Sequence, residues 1–307
     1  MNSVLDDFKN AWHKPNNGLA QLIIINVGVF VTLGILAVVS TLSGTEKIFD
    51  IAYKQFTIPA PINEFITRPW TIITYAFAHS FSNLWHIIMN MLVLYWFGRV
   101  FVDFLGSQRL INLYILGAIA GGLTYLLVYN LVPFYSNRIN MFDGMVGASA
   151  AVYAITVATA TYWPNHRFYL LFFGPVKISY IAAFVVFISI LGSIGPNAGG
   201  NLAHLGGTLI GYIYARQLSK GNELGKWVFK TMQFIKSFFV KSPNIKVSHR
   251  QKKSKSSSFS SSKTTTKKSK SDVDQAEIDK ILDKISERGY DSLTKEEKEK
   301  LFNASNK

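Results

Sequence analysis

The chain has 307 residues, 49% of them hydrophobic, no cysteine and a net charge of +14. Without cysteine it can hold neither a disulfide nor a thiolate metal site. Its apolar residues fall in blocks of about 17–25 residues, the length that spans a bilayer, and this excludes an ordinary soluble domain. Between Lys220 and Lys270, fourteen Lys/Arg stand against one acid, Glu223. A basic cluster directly after an apolar block points to anionic lipid rather than to nucleic acid.

In chain order, the first eighteen residues are polar and mixed in charge, so the apolar run that follows reads as an uncleaved first helix. Six spans are expected: Leu19 to Val39, His86 to Phe101, Leu110 to Leu131, Val146 to Tyr162, Ile178 to Leu191 and Leu202 to Leu218. Residues 40–84 form a first loop containing PAP and RPWTIITYAFAH. The piece RFYLLFFGPVK (167–177) is broken by Gly174-Pro175 and is expected at the interface rather than across the membrane. The fourth and sixth spans are short and rich in small residues, as suits the interior of a bundle.

Lys9, Lys14, Arg99, Arg109, Arg167, Lys177 and the basic tail fall on one side of these spans. Lys47, Lys54, Arg68 and Arg138 fall on the other. The positive-inside rule then predicts both termini in the cytoplasm. Residues 219–247 read as a juxtamembrane segment, with LGKWVFKTMQFIKSFFV an interfacial amphipathic helix. Ser and Lys dominate 248–272, a disordered linker by composition. Residues 273–307 recover order: Ile278, Ile281, Leu282 and Ile285 make one stripe, Gly289 can stop that helix, and Thr294 with Glu297 makes a capping box.

The polar residues inside these spans carry the chemistry. Residues 147–154 read GASAAVYA, with Ser149 amid residues that have almost no side chain; taken alone, close helix packing accounts for it. Elsewhere at similar depth stand His204, in NLAHLGGTLIG, and His86 with Asn90, in HIIMN, whose i, i+4 spacing sets both on one face. Polar groups at bilayer depth are costly and usually functional. A serine hydroxyl needs a base within hydrogen-bond reach to become a nucleophile, and His204 is the candidate. Gly207 and Gly211 form a GxxxG groove that lets its helix approach the Gly147–Ser149 region. Tyr153, one turn past Ser149, can support the imidazole. His86, Asn90 and the Ser149 backbone N–H are then free to stabilise an oxyanion. Asn201 is expected to line the same wet pocket. Two histidines alone could instead bridge helices or ligate a haem or metal, but no acidic or sulfur partner accompanies them.

HxxxN at His86–Asn90, GxS at Gly147–Ser149 with Tyr153 four residues on, and AHxxGxxxG from Ala203 to Gly211 together resemble the rhomboid family of intramembrane serine proteases, over roughly residues 60–218. The resemblance implies an all-α integral membrane protein with a six-transmembrane-helix bundle and a cytoplasmic C-terminal extension. It implies a Ser149–His204 dyad without an acidic third member, an oxyanion site at His86, Asn90 and the Ser149 amide, and no cofactor or metal. Trp70 would belong to an outer loop partly in the membrane, the fifth span would move aside for substrate, and residues 192–200 would cap the site. Two departures stand out: Ala150 where the family often has Gly, and Arg68-Pro69-Trp70 in place of Trp-Arg. The extra methyl of Ala150 is expected to narrow the cavity or shift substrate preference, without removing a catalytic group.

The implied activity is hydrolysis of peptide bonds within or near the transmembrane segments of single-span membrane proteins, which would be the partners along with anionic lipid. The alternative is a non-proteolytic relative that binds membrane helices. A transporter is disfavoured by the lack of an internal repeat and of a midplane charged pair. GASAA lacks the last Gly of the G-x-S-x-G elbow of α/β-hydrolases. The Lys/Ser/Asn/Phe-rich composition suggests a bacterial inner membrane.

Overall fold

The computed structural model describes residues 16–139, 144–170, 174–239 and 270–305; most of the polar N-terminal segment and of the Ser/Lys-rich linker lie outside them. The chain divides into two compact units, Met1–Pro243 and Asn244–Lys307.

The first unit opens with α1 (Gly18–Leu42). Its 25 residues rise roughly 37 Å, and its window of highest hydropathy is only 17% buried. Its first residue donates from Gly18 N to Ser107 Oγ (3.0 Å), and a polar side chain anchors its middle. Asn26 is fully buried and donates to Leu22 O (2.8 Å) and to Tyr114 Oη (3.0 Å), and Tyr114 donates on to Ala76 O. Thus α1 is tied to the third long helix and to the loop region through one amide. α1, α5 (Leu84–Leu105, below) and α6 (Ser107–Leu131) are long and apolar enough to cross a membrane.

Residues 43–83 are not an open loop. They hold α2 (Glu46–Lys54), α3 (Ile62–Thr67), α4 (Thr71–Thr74) and a 3₁₀ turn at Tyr75–Phe77. Ile58, Ala60, Tyr75 and Ala76 are buried to 1% or less, so apolar side chains fold this segment inward. Its backbone polar groups are then met internally. Ile58 pairs with Met145 in both directions (3.1 and 2.9 Å), and Asn130 donates to Ala60 O at 2.8 Å. α5 (Leu84–Leu105) starts where Asn83 Oδ1 accepts from Trp85 N. A turn at Gly106, φ +83°, reverses the chain into α6 (Ser107–Leu131), followed by the single turn α7 (Pro133–Ser136).

α8 runs Ser149–Tyr162, three residues shorter at its start than the hydropathy suggests. Met145 is held in its pairing with Ile58, and Gly147 has φ +136°, so neither can be helical. Within 167–177, expected at the interface rather than across the membrane, β1 (Arg167–Leu170) pairs antiparallel with β2 (Gly174–Lys177). α9 (Ile178–Gly192) and α10 (Ala198–Ser219) follow. α10 begins one turn earlier than its apolar run indicates, because Asn201 anchors that turn to Gly192 O and Asn197 O (3.0 and 2.9 Å).

The centre of the unit is a three-helix contact at backbone distance. A Cβ on Gly207 would stand 2.0 Å from Ala150 O, one on Gly211 2.3 Å from Ala154 O, and one on Gly117 2.8 Å from Ala151 Cα. α6, α8 and α10 therefore touch through residues chosen for what they lack. α11 (Lys226–Phe239) closes the unit with Val228 buried and Trp227, Phe234 and Phe238 exposed. Glu223 just before it pairs with Arg109 and with Lys226, and the Arg109 guanidinium holds its carboxyl below the usual range.

In the second unit, α12 (Lys270–Arg288) ends at Gly289, φ +77°, and α13 (Lys295–Ser305) begins after a 3₁₀ turn at Tyr290–Ser292. The capping box forms in both directions, Thr294 N to Glu297 Oε2 (2.8 Å) and Glu297 N to Thr294 Oγ1 (3.3 Å). Lys284 of α12 adds a paired contact to Glu297 (2.8 and 2.9 Å). Among the described residues Ile281 and Leu293 are the buried apolar ones; Leu282, assigned by periodicity to the same stripe as Ile281, is 49% exposed.

Candidate active site

A cavity of about 590 Å³ opens between α5, α8, α9 and α10. Ser149, His204, His86, Asn90 and Tyr153 all line it, beside an apolar wall that includes Trp96, Phe97, Phe168 and Val185. Five of the residues singled out by sequence are thus gathered from three helices onto one concave surface.

Each is placed by local structure. Ser149 is the first residue of α8, so its N–H belongs to the first turn, where helical amides have no intrahelical acceptor. Gly147 delivers the chain to that point. It donates to Tyr75 O at 2.9 Å, and a Cβ at this φ would lie 2.8 Å from His86 Nε2. Glycine is therefore required there twice, for its backbone angle and for the approach of the imidazole. His86 and Asn90 sit in the first two turns of α5. Asn90 spends one amide hydrogen on His86 O (2.7 Å), which fixes its head group at the cavity wall.

His204 lies on α10 with the Tyr153 ring stacked on it, centroids 4.2 Å apart and planes at 13°. Its Nδ1 is 3.0 Å from Ser189 Oγ, which leaves Nε2 without a partner among the described residues. No hydrogen bond joins Ser149 Oγ to His204 in this structure, although both line the one cavity. Such contacts are often long without substrate and tighten in the reacting complex.

Gly207 and Gly211 are where α10 meets α8. Asn201 is not where the pattern suggested. It does not line the cavity; its amide is spent on the backbone of Gly192 and Asn197, and Asn197, one turn earlier, reaches the rim instead. Ala150 also differs from expectation. It is 1% exposed and absent from the cavity wall, and its methyl meets Gly121 of α6, where an added Cβ would come within 2.4 Å. Its extra carbon enters helix packing and does not narrow the cavity. Trp70 is half exposed, while neighbouring Arg68 donates to Lys54 O (2.8 Å) and pairs with Glu64.

Three polar residues near the site carry no motif. Ser189 is a buried hydroxyl in the apolar run of α9, which also holds Ser179 and Tyr180 near its start, and Asn197 lies in a Gly/Pro-rich loop. His79 is 1% exposed, meets His86 edge-on at 5.2 Å, and has neither ring nitrogen hydrogen-bonded. A buried polar residue in an apolar context was the available signal for Ser189. Among the described residues no three His, Asp or Glu side chains gather to hold a metal ion.

The model of the rhomboid domain matches residues 67–221, and that of a family of unknown function (DUF6576) matches 267–307. The chain is 31% identical over 204 residues to rhomboid protein 1, mitochondrial, of Saccharomyces cerevisiae, covering 64% of this chain and 54% of that protein. It is 30% identical over 210 residues to RHOMBOID-like protein 12, mitochondrial, of Arabidopsis thaliana, with coverages of 65% and 58%. Rhomboid-like protein 16, chloroplastic, of the same plant is 28% identical over 223 residues, with coverages of 69% and 65%. The chain thus spans between about half and two thirds of the length of these relatives. Their names place them in mitochondria and chloroplasts, so the expected bacterial inner membrane finds no support.

Proposed function

Because this chain belongs to the rhomboid family, we propose that it is an intramembrane serine endopeptidase acting on single-span membrane proteins. The observation that carries the reading is the shared cavity, in which Ser149 and a Tyr153-stacked His204 stand beside His86 and Asn90. In this reading α1, α5, α6, α8, α9 and α10 are six spans, with both termini cytoplasmic. α8 has 14 residues and rises only about 21 Å, short of the ~30 Å hydrocarbon layer. A helix that ends at the inner face therefore begins below the outer one, and Ser149 is recessed at the floor of a water-accessible pocket.

The chemistry follows from the groups present. Ser149 Oγ attacks the scissile carbonyl as its proton passes to His204 Nε2. The oxyanion is met by the Ser149 N–H, the His86 ring and the free amide hydrogen of Asn90. Collapse breaks the C–N bond, and His204 returns the proton to the leaving amine. Water, deprotonated by the same nitrogen, then cleaves the ester and restores the serine. The apolar wall of the cavity suits an unwound apolar segment. The exposed Trp227, Phe234 and Phe238 of α11, with Lys226 and Lys230, suit a leaflet of anionic lipid.

The test uses the full chain reconstituted in liposomes with a single-span substrate. Ser149→Ala and His204→Ala are each expected to abolish cleavage, by about 10⁴-fold or more as for other serine nucleophile knockouts, while thermal unfolding of Ser149→Ala stays unchanged. Turnover retained in either variant sinks the dyad. Fluorophosphonate labelling that requires Ser149 separates an enzyme from a protein that only binds helices.

A further inference from the structure

Ser189 has no role in the proposal so far, yet it is fully buried in α9, in the run ISYIAAFVVFISILG. The ordinary fate of a helical hydroxyl is to bond the carbonyl four residues back. Thr124, Thr159, Thr161 and Ser219 all do so in this chain. Ser189 does not. The carbonyl it would use, Val185 O, instead accepts from Tyr153 Oη (3.3 Å). Ser189 Oγ lies 3.0 Å from Tyr153 Oη and 3.0 Å from His204 Nδ1.

The polarity of this chain of contacts is fixed from its far end. A carbonyl can only accept, so Tyr153 donates to Val185 O. Tyr153 has then used its one hydrogen, and Ser189 must donate to it. Ser189 has now used its own, so its oxygen accepts, and His204 Nδ1 must carry the hydrogen. Neutral imidazole protonated on Nδ1 has its lone pair on Nε2, the nitrogen left for Ser149.

We infer that Ser189 is a positioning residue, which holds His204 in the tautomer that makes Nε2 the base. The inference rests on the proposed protease activity. Ser189 occupies the place that an acid takes in a Ser-His-Asp triad, but it is neutral, and so puts no unpaired charge into an apolar bundle. When Nε2 takes the serine proton, Nδ1–H continues to donate to Ser189, so the network needs no rearrangement.

Three variants and a set of ¹⁵N-histidine spectra test it. Ser189→Ala is expected to lower kcat about tenfold, the worth of one neutral hydrogen bond, with KM unchanged and fluorophosphonate labelling of Ser149 slowed by the same factor. Ser189→Thr, which keeps the hydroxyl, restores most of the rate. Tyr153→Phe keeps the stacked ring but frees the Ser189 hydroxyl, and is expected to slow turnover as well. ¹⁵N-histidine spectra of the wild type, with His204 assigned by its loss in His204→Asn, should show Nδ1–H; Ser189→Ala should show a mixture of tautomers. A wild-type kcat in Ser189→Ala, or a wild-type His204 protonated on Nε2, overturns the inference. If Ser189→Ala does not fold, the wild-type spectrum decides alone. Turnover lost in Ser149→Ala but intact in Ser189→Ala removes this inference only, whereas turnover surviving Ser149→Ala removes the protease reading beneath it.

Discussion

α8 and α9 are nearly the same length, 14 and 15 residues, and both are apolar, yet they are held in opposite ways. Nine of the α8 residues are buried, and all of them are Ala, Thr, Val or Ile. In α9 only Ile178, Ala182 and Ser189 are buried, while Phe184, Phe187 and Leu191 are each more than half exposed. α8 is fixed by shape, because small side chains bring three backbones into contact and leave no slack. α9 leans its large side chains outward and is joined to the site through the Tyr153–Ser189–His204 contacts. Apolarity alone therefore says little about how firmly a helix of this bundle is seated. The size of its side chains says more.

The sharpest way to break this contrast is to add volume where α8 meets α10. A Cβ at Gly207 would be 2.0 Å from the Ala150 carbonyl oxygen, and that neighbour is backbone, which cannot swing away as a side chain would. Gly207→Val should cost more than about 3 kcal/mol, beyond the usual range for overpacking, read as a collapse of the thermal midpoint in detergent or as loss of folded protein on expression. A midpoint within a few degrees of wild type would mean that α10 can slide on α8, and the comparison with α9 would fail.

A smaller effect is expected at the contact that the sequence misassigned. Gly121→Ala places a methyl 2.4 Å from Ala150 Cβ and should destabilise by about 1–3 kcal/mol. Ala150→Gly removes that obstacle, so the double variant should recover part of the loss. Recovery is incomplete because Ala203 O and Tyr75 Oη also lie within 3.0 Å of the new carbon. Independent, additive effects in the cycle would return the Ala150 methyl to the cavity.

The same contacts show what could be read from the sequence and what could not. HxxxN, GxS and AHxxGxxxG were legible because the chemistry of each needs fixed residue types at helical spacing, and His86, Asn90, Ser149 and His204 from them line one cavity. The GxxxG groove named its own function, close approach, though not its partner. Periodicity gives the face of a helix but not the neighbour across from it. For that reason Ala150 was assigned to the cavity rather than to Gly121, and Ser189 passed as one more small residue in an apolar run. Asn201 and Asn197 are one turn apart, and choosing between them required knowing where α10 starts, which the contacts of Asn201 with Gly192 O and Asn197 O help to fix. Residues 43–83 read as a loop because their helices are short and their burial depends on Asn130, Tyr114 and Met145, all far away in sequence.

The mildest test of the comparison is a deletion on the outer face of α9. Phe184 is 64% exposed and faces away from the bundle, so in a bilayer its neighbours are acyl chains as apolar as itself. Truncating it creates no internal cavity, and lipid fills the space it leaves. Phe184→Ala should therefore shift stability by no more than about 0.5 kcal/mol, as for other changes away from a packed core, whereas a buried aromatic truncated to Ala typically costs about 3–5 kcal/mol. Thermal unfolding in the same detergent as the Gly207 and Gly121 variants places all of them on one scale. A large loss for Phe184→Ala would show that α9 is seated by an aromatic contact rather than by its polar one, and the distinction drawn between the two helices would reverse.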